Sequence, residues 1–134
     1  MRSNLSAMAV GVALLLSAPV FAHHSFEAEY DSNKPINITG SVTKVEWMNP
    51  HARFYVDVKD EKGAVANWNF ELGSPNVLTR QGWRRDSLKV GDTVTVEGYV
   101  AKDGARLANA RRVTLADGRK VFAGSTAGEG GPQQ

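Results

Sequence analysis

The sequence predicts an all-β domain with one short helix, arranged as a five-stranded OB-like barrel. Three observations predict it: short runs of alternating apolar and β-branched residues, one helix signal after the third run, and a glycine inside a long first run. Three strands, a helix and then two strands is the chain order of that barrel. A long first strand that bends suits it, because this strand must serve both halves of a closing sheet. A small β-sandwich built from the same strands is the alternative.

The elements follow in order. An extended leader, residues 23–35, carries the acidic "SFEAEYD" and a turn at Ser32 to Pro35. The barrel domain is expected over residues 36–124. Its first strand, "INITGSVTKVEWMN", is rich in β-branched residues, and Gly40 marks a bulge or sharp bend. Asn49 and Pro50 make a corner, and His51 opens the next strand. In "ARFYVDVKD", Ala52, Phe54, Val56 and Val58 share one face, and Arg53, Tyr55, Asp57 and Lys59 the other.

"DEKG" turns the chain into "AVANWNFEL", where Ala66, Trp68, Phe70 and Leu72 share a face. The period then changes. Ser74 is placed to cap a helix, Pro75 to occupy its first position and Gly82 to end it. "WRRDSLKVGD" reads as a loop. "TVTVEGYVA" puts Val94, Val96 and Val100 on one side, "KDG" is a hairpin turn, and "RLANARRVTLA" is the fifth strand. "RKVFAG" adds an edge pairing. Residues 125–134, "STAGEGGPQQ", have nothing to bury and are expected to be disordered.

The N-terminus reads as an address. Residues 1–22 combine Arg2, a short apolar run from Ala7 to Leu16, Pro19, and Val20 and Ala22 at the −3 and −1 positions of a cleavage site. Ten apolar residues are too few to span a bilayer. The expectation is a signal peptide cleaved after Ala22, a mature chain without a membrane span, and a periplasmic or secreted location.

Composition narrows the chemistry. The 134 residues suit one domain with a modest core, and 42% apolar with 22% charged residues is ordinary for a globular chain. With no cysteine, disulfides, thiolate metal sites and a cysteine nucleophile are excluded. The formal charge of +2 comes from interspersed signs, and the densest basic cluster, "WRRDSLK", is interrupted by Asp86. That pattern is a solvated mixed surface. Nucleic acid is not an expected partner.

The three histidines are His23, His24 and His51. Cleavage after Ala22 would leave His23 as the first residue, with its α-amine and imidazole both available to a metal and His24 adding a further nitrogen. Such nitrogen-rich sets suit Cu(II), which favours tetragonal N,O coordination; Zn(II) is the less favoured ion. Unperturbed amines and imidazoles lose protons near pH 8 and 6.5, so both can bind a metal around neutrality. His51 would complete the set, with Glu27, Glu29 or Asp31 as further donors. The competing account is a solvated pair of histidines at a free end, with His51 serving only a turn.

Other chemistries are weaker. Glu46, Asp57, Glu71 and Glu97 alternate with apolar neighbours and read as the solvent-facing half of strands. Ser25, Ser41, Ser74 and Ser87 lie in no nucleophile-elbow context. Among the aromatics, Tyr55 and Tyr99 fall out of phase with the apolar sets. Together with Arg53 they define a candidate ligand face on the barrel.

Finally, "AHHSFEAEYD", "VTKVEWMNPHARFYVDVKD", "NFELGSPNVLTRQGW", "RDSLKVGDTVTVEGY" and "LADGRKVF" resemble a family of small exported bacterial proteins catalogued as a domain of unknown function. The resemblance runs from about Ala22 to Ala123. It implies an exported OB-like single domain and brings no catalytic role. The expected function is therefore a non-enzymatic binding module, with a copper site at the processed histidines. The alternative is a metal-free accessory module that contacts an envelope protein or small ligand through the barrel face. Copper-dependent oxidative chemistry is a distant third.

Overall fold

The structure, a computed structural model, describes residues 26–124. The expected signal peptide, His23, His24 and the expected tail at 125–134 lie outside the described residues. A helical turn at residues 26–29 leads into β1 (Tyr30–Glu46), β2 (Arg53–Lys59), β3 (Val65–Glu71), α1 (Pro75–Arg80), β4 (Thr93–Ala101), β5 (Leu107–Thr114) and β6 (Lys120–Phe122).

Strand β1 does the work of two. Pro35 to Ser41 pair antiparallel with β4, and Ser41 to Glu46 pair antiparallel with β2. Ser41 itself partners both Thr93 and Asp57. Gly40 stands at this changeover: a Cβ there would run into the Asp57 carbonyl oxygen and lie 2.5 Å from Val56 Cγ1. The expected bend therefore exists because glycine alone lets β2 cross so close. The bulge itself falls between Val42 and Lys44.

The expected turn at Ser32 to Pro35 is instead part of β1. Tyr30 pairs with Ala101 and the register shifts before Pro35. The Asp31 side chain accepts from the Asn33 N–H at 3.0 Å, and the Lys102 N–H donates to Glu29 O at 2.9 Å. The turn-forming residues make a local irregularity, while the far end of β4 still offers ladder partners. Six residues of the expected leader thus belong to the sheet.

The sheet order is β3-β2-β1-β4-β5-β6, and a parallel pairing of β3 with β5 closes the circle. That seam is three residue pairs long: Asn69 with Leu107, Phe70 with Ala108, and Glu71 with Asn109. Closure makes this an OB-like barrel rather than a sandwich. β6 adds the expected edge pairing on β5.

Inside lie Phe54 and Phe70, stacked with ring centroids 5.2 Å apart, with Val42, Val56, Val94, Val96 and Val113 around them. α1 places Leu78 in this core. Its ends are built as the sequence indicates. The Val77 N–H donates to Ser74 Oγ at 3.3 Å, and past the helix Trp83 N–H donates to Leu78 O and Gly82 N–H to Thr79 O, the Schellman pattern. Gly82 carries the left-handed φ of 95°. The following segment, residues 83–92, is the expected loop, and it is anchored: Trp83 and Leu88 are buried and the Trp83 indole donates to Phe122 O at 2.7 Å. Among the described residues no helix is long and apolar enough to cross a membrane.

Candidate functional site

The pairing registers align one row of outward side chains across the seam. Arg53 on β2 is opposite Glu71 on β3, Glu71 is opposite Asn109 on β5, and Asn109 is opposite Tyr99 on β4. Two predicted ligand-face residues, Arg53 and Tyr99, therefore stand at the two ends of one row. Tyr55 is two residues beyond Arg53 on the same face, opposite Asn69.

Glu71 is the centre of this row and the residue whose setting differs most from the sequence expectation. It is only 6% exposed, where strand alternation placed it in solvent. Arg53 Nη2 donates to its Oε2 at 2.5 Å, and His51 Nδ1 lies 3.2 Å from its Oε1. Each carboxylate oxygen thus faces its own nitrogen partner. His51 does not open β2: it sits two residues earlier, in the β1–β2 connection, with its side chain 38% exposed.

The leader covers the other end of the row. Phe26 packs on Tyr30 at 5.5 Å and edge-on against Tyr99 at 6.1 Å. Lys102 Nζ donates to Glu27 O. Beneath this cover Tyr30 and Asn109 are buried, and Tyr30 Oη and Asn109 Oδ1 make no well-formed hydrogen bond among the described residues. The Tyr30 hydroxyl faces Glu71. Burial first, and the negative charge of Glu71 next, hold its pKa well above the ordinary phenol range.

The rest of the predicted face satisfies itself. Arg53 Nη1 donates to Asn69 Oδ1 at 3.5 Å, and Tyr55 Oη donates to Glu46 Oε2 at 3.3 Å. Lys44 pairs with Glu46 at 2.5 Å and lies over the Tyr55 ring at 5.2 Å. The hydrogen bond from Lys44 lowers the pKa of the Glu46 carboxyl. Beyond Tyr99, an open groove of about 570 Å³ runs between β1, β4, β5 and β6, lined by Asn37, Glu97, Tyr99, Arg111 and Phe122 among others.

No group of three or more His, Cys, Asp or Glu side chains suited to a metal occurs among the described residues. His51 and Glu71 come together; His23 and His24 lie outside the description. Sequence reasoning missed Glu71, Asn109 and Tyr30 as a buried cluster. The one available signal was the run Ala108-Asn109-Ala110, in which a polar residue sits between two small ones.

Fold and row together define a small OB-like barrel with a polar seam beneath an N-terminal cover. The chain belongs to a family of unknown function (DUF6152), whose model matches residues 12–110. No curated protein matches it. Among solved structures it is similar to the mitochondrial single-stranded DNA-binding protein Rim1 from S. cerevisiae, at 12% identity and a TM-score of 0.48, covering 61% of this chain and 92% of that one.

Proposed function

We propose that this is an exported, non-enzymatic binding module that holds a divalent metal, copper foremost, between its processed N-terminal histidines and His51. One observation carries the reading: Glu71 faces Tyr30 on one side and lies 3.2 Å from His51 Nδ1 on the other. Leader and β1–β2 connection therefore meet at a single side chain. His24 precedes Tyr30 by six residues, a span of about 9 Å if helical and about 20 Å if extended. A carboxylate behind a histidine Nδ1 is also the usual support of a metal-binding imidazole, since it fixes the ring and leaves Nε2 to the ion.

The test is copper titration of three proteins: the chain processed at Ala22, the same chain with one extra residue before His23, and His51→Ala in the processed chain. The processed chain is expected to bind most tightly and both alterations to weaken it. Equal affinity in all three would sink the reading.

A second reading follows from the groove beside Tyr99: a metal-free module that contacts an envelope protein or small ligand there. In that case Tyr99→Ala weakens partner capture, and the native chain takes up no metal.

A further inference from the structure

A bulge in β5 sets two arginines side by side. Ala110 pairs with Gly98 and Arg112 with Glu97, so Arg111 is the extra residue of the bulge. Ala110 and Val113 both face the core, which leaves Arg111 and Arg112 together on the outer side. In a regular strand two consecutive side chains point to opposite faces, and a bulge re-aims one of them. Gly98 permits this, because a Cβ there would run into the Asn109 carbonyl oxygen.

Both arginines line the groove of about 570 Å³ beside Tyr99, a volume in the range of small-molecule sites. The Arg111 guanidinium lies 6.0 Å from the Tyr99 ring centroid and 5.7 Å from that of Phe122. Two aromatic contacts, from β4 and β6, thus hold it in place. The Arg112 side chain is exposed and makes no hydrogen bond or ion pair among the described residues. Glu97, the carboxylate of the lining, is paired with Lys120 at 2.7 Å. Charge complementarity therefore favours an anion, and the neighbouring Pro35, Ile36 and Phe122 favour an apolar body on it. The exposed large apolar side chains Met48, Val65 and Val90 lie outside the groove, so this face lacks the apolar centre of a protein interface.

We propose that the groove binds a small carboxylic acid with an apolar body, anchored by Arg112 with Arg111 beside it. The assignment rests on the groove reading above, to which it gives a ligand chemistry, and is independent of the metal site. A guanidinium offers parallel N–H donors that match the two oxygens of a carboxylate, and a guanidinium already held in place loses less freedom on binding.

The experiment titrates the isotope-labelled exported chain with hexanoate, neutral hexanamide and inorganic phosphate, and follows backbone amides by two-dimensional NMR. Hexanoate is expected to move the Tyr99, Arg111 and Arg112 signals and to bind about tenfold or more tightly than the other two. Arg112→Gln, an exposed change that spares the bulge, is expected to weaken hexanoate about tenfold and to leave hexanamide within about twofold. Unchanged hexanoate affinity in that variant overturns the proposal. Hexanamide or phosphate bound as tightly as hexanoate also overturns it and leaves the groove reading standing. An acetylated tripeptide ending in leucine that binds more tightly than hexanoate would assign the groove to chain ends and overturn the small acid. No shift with any probe ends both the proposal and the small-ligand form of the groove reading.

Discussion

Tyr30 is the residue at which the leader's attachment becomes measurable. Its hydroxyl is buried without a well-formed bond and faces a carboxylate, and its pKa is raised above the ordinary 10.0. The folded chain therefore holds this proton more tightly than the unfolded chain, where the phenol titrates near 10. Stability from this source is complete below pH 10 and declines as the pH climbs above it, because unfolding then releases the proton. Tyr30→Phe removes both the buried hydroxyl and the titration. We expect the variant to be more stable at pH 7 by about 1 kcal/mol, the cost of an unsatisfied buried polar group, and to lose less stability above pH 10 than the native chain. Urea unfolding at pH 7 and at pH 10.5 checks both points. A variant less stable at pH 7 would show that the hydroxyl makes a net favourable contact with Glu71.

Among the elements, those with local causes are legible in the sequence. Ser74, Pro75 and Gly82 bracket α1 because capping is a contract between residues a few positions apart, and the alternation in β2 puts Phe54 and Val56 inside. Glu71 obeys the same alternation and does point out of the barrel. Beside it stands the Tyr30 hydroxyl, brought there from a segment some forty residues away, a contact that no single-strand pattern contains. The start of β1 is hidden for a related reason: Ser32 to Pro35 look like a turn, and only the reach of β4 to Ala101 keeps them in the sheet. Gly40 lies between these cases. Its type announces a special position, and the structure supplies the cause in the close passage of Val56 and Asp57. Gly40→Ala is accordingly expected to destabilise by about 3 kcal/mol, since backbone must shift to admit the methyl. Ser74→Ala, a lost cap on one short helix, should cost about 1 kcal/mol. Chemical denaturation of the two variants side by side tests the ranking, and a Gly40→Ala cost below that of Ser74→Ala contradicts the close-approach account.

At the scale of the molecule, the barrel is closed by a parallel seam of three residue pairs. Strand order alone leaves barrel and sandwich open, because so short a seam has no sequence signature of its own. The metal reading adds a second closure. An ion shared by the processed N-terminus and His51 would tie the start of the leader to the β1–β2 loop, across the row that runs from Arg53 to Tyr99. Copper should then act as a staple on the whole fold, because the folded chain offers the assembled donor set and the unfolded chain does not. At free copper about a hundred times the dissociation constant, linkage predicts about 2.7 kcal/mol of added stability for the processed chain. The chain with one extra residue before His23 should gain clearly less, since its terminal amine no longer stands beside the first imidazole. Thermal unfolding with and without copper, followed for both proteins, measures the difference. A shift of equal size in the two would mean that copper binds without the amine, and the N-terminal staple would have to be abandoned even if His51 still binds the ion.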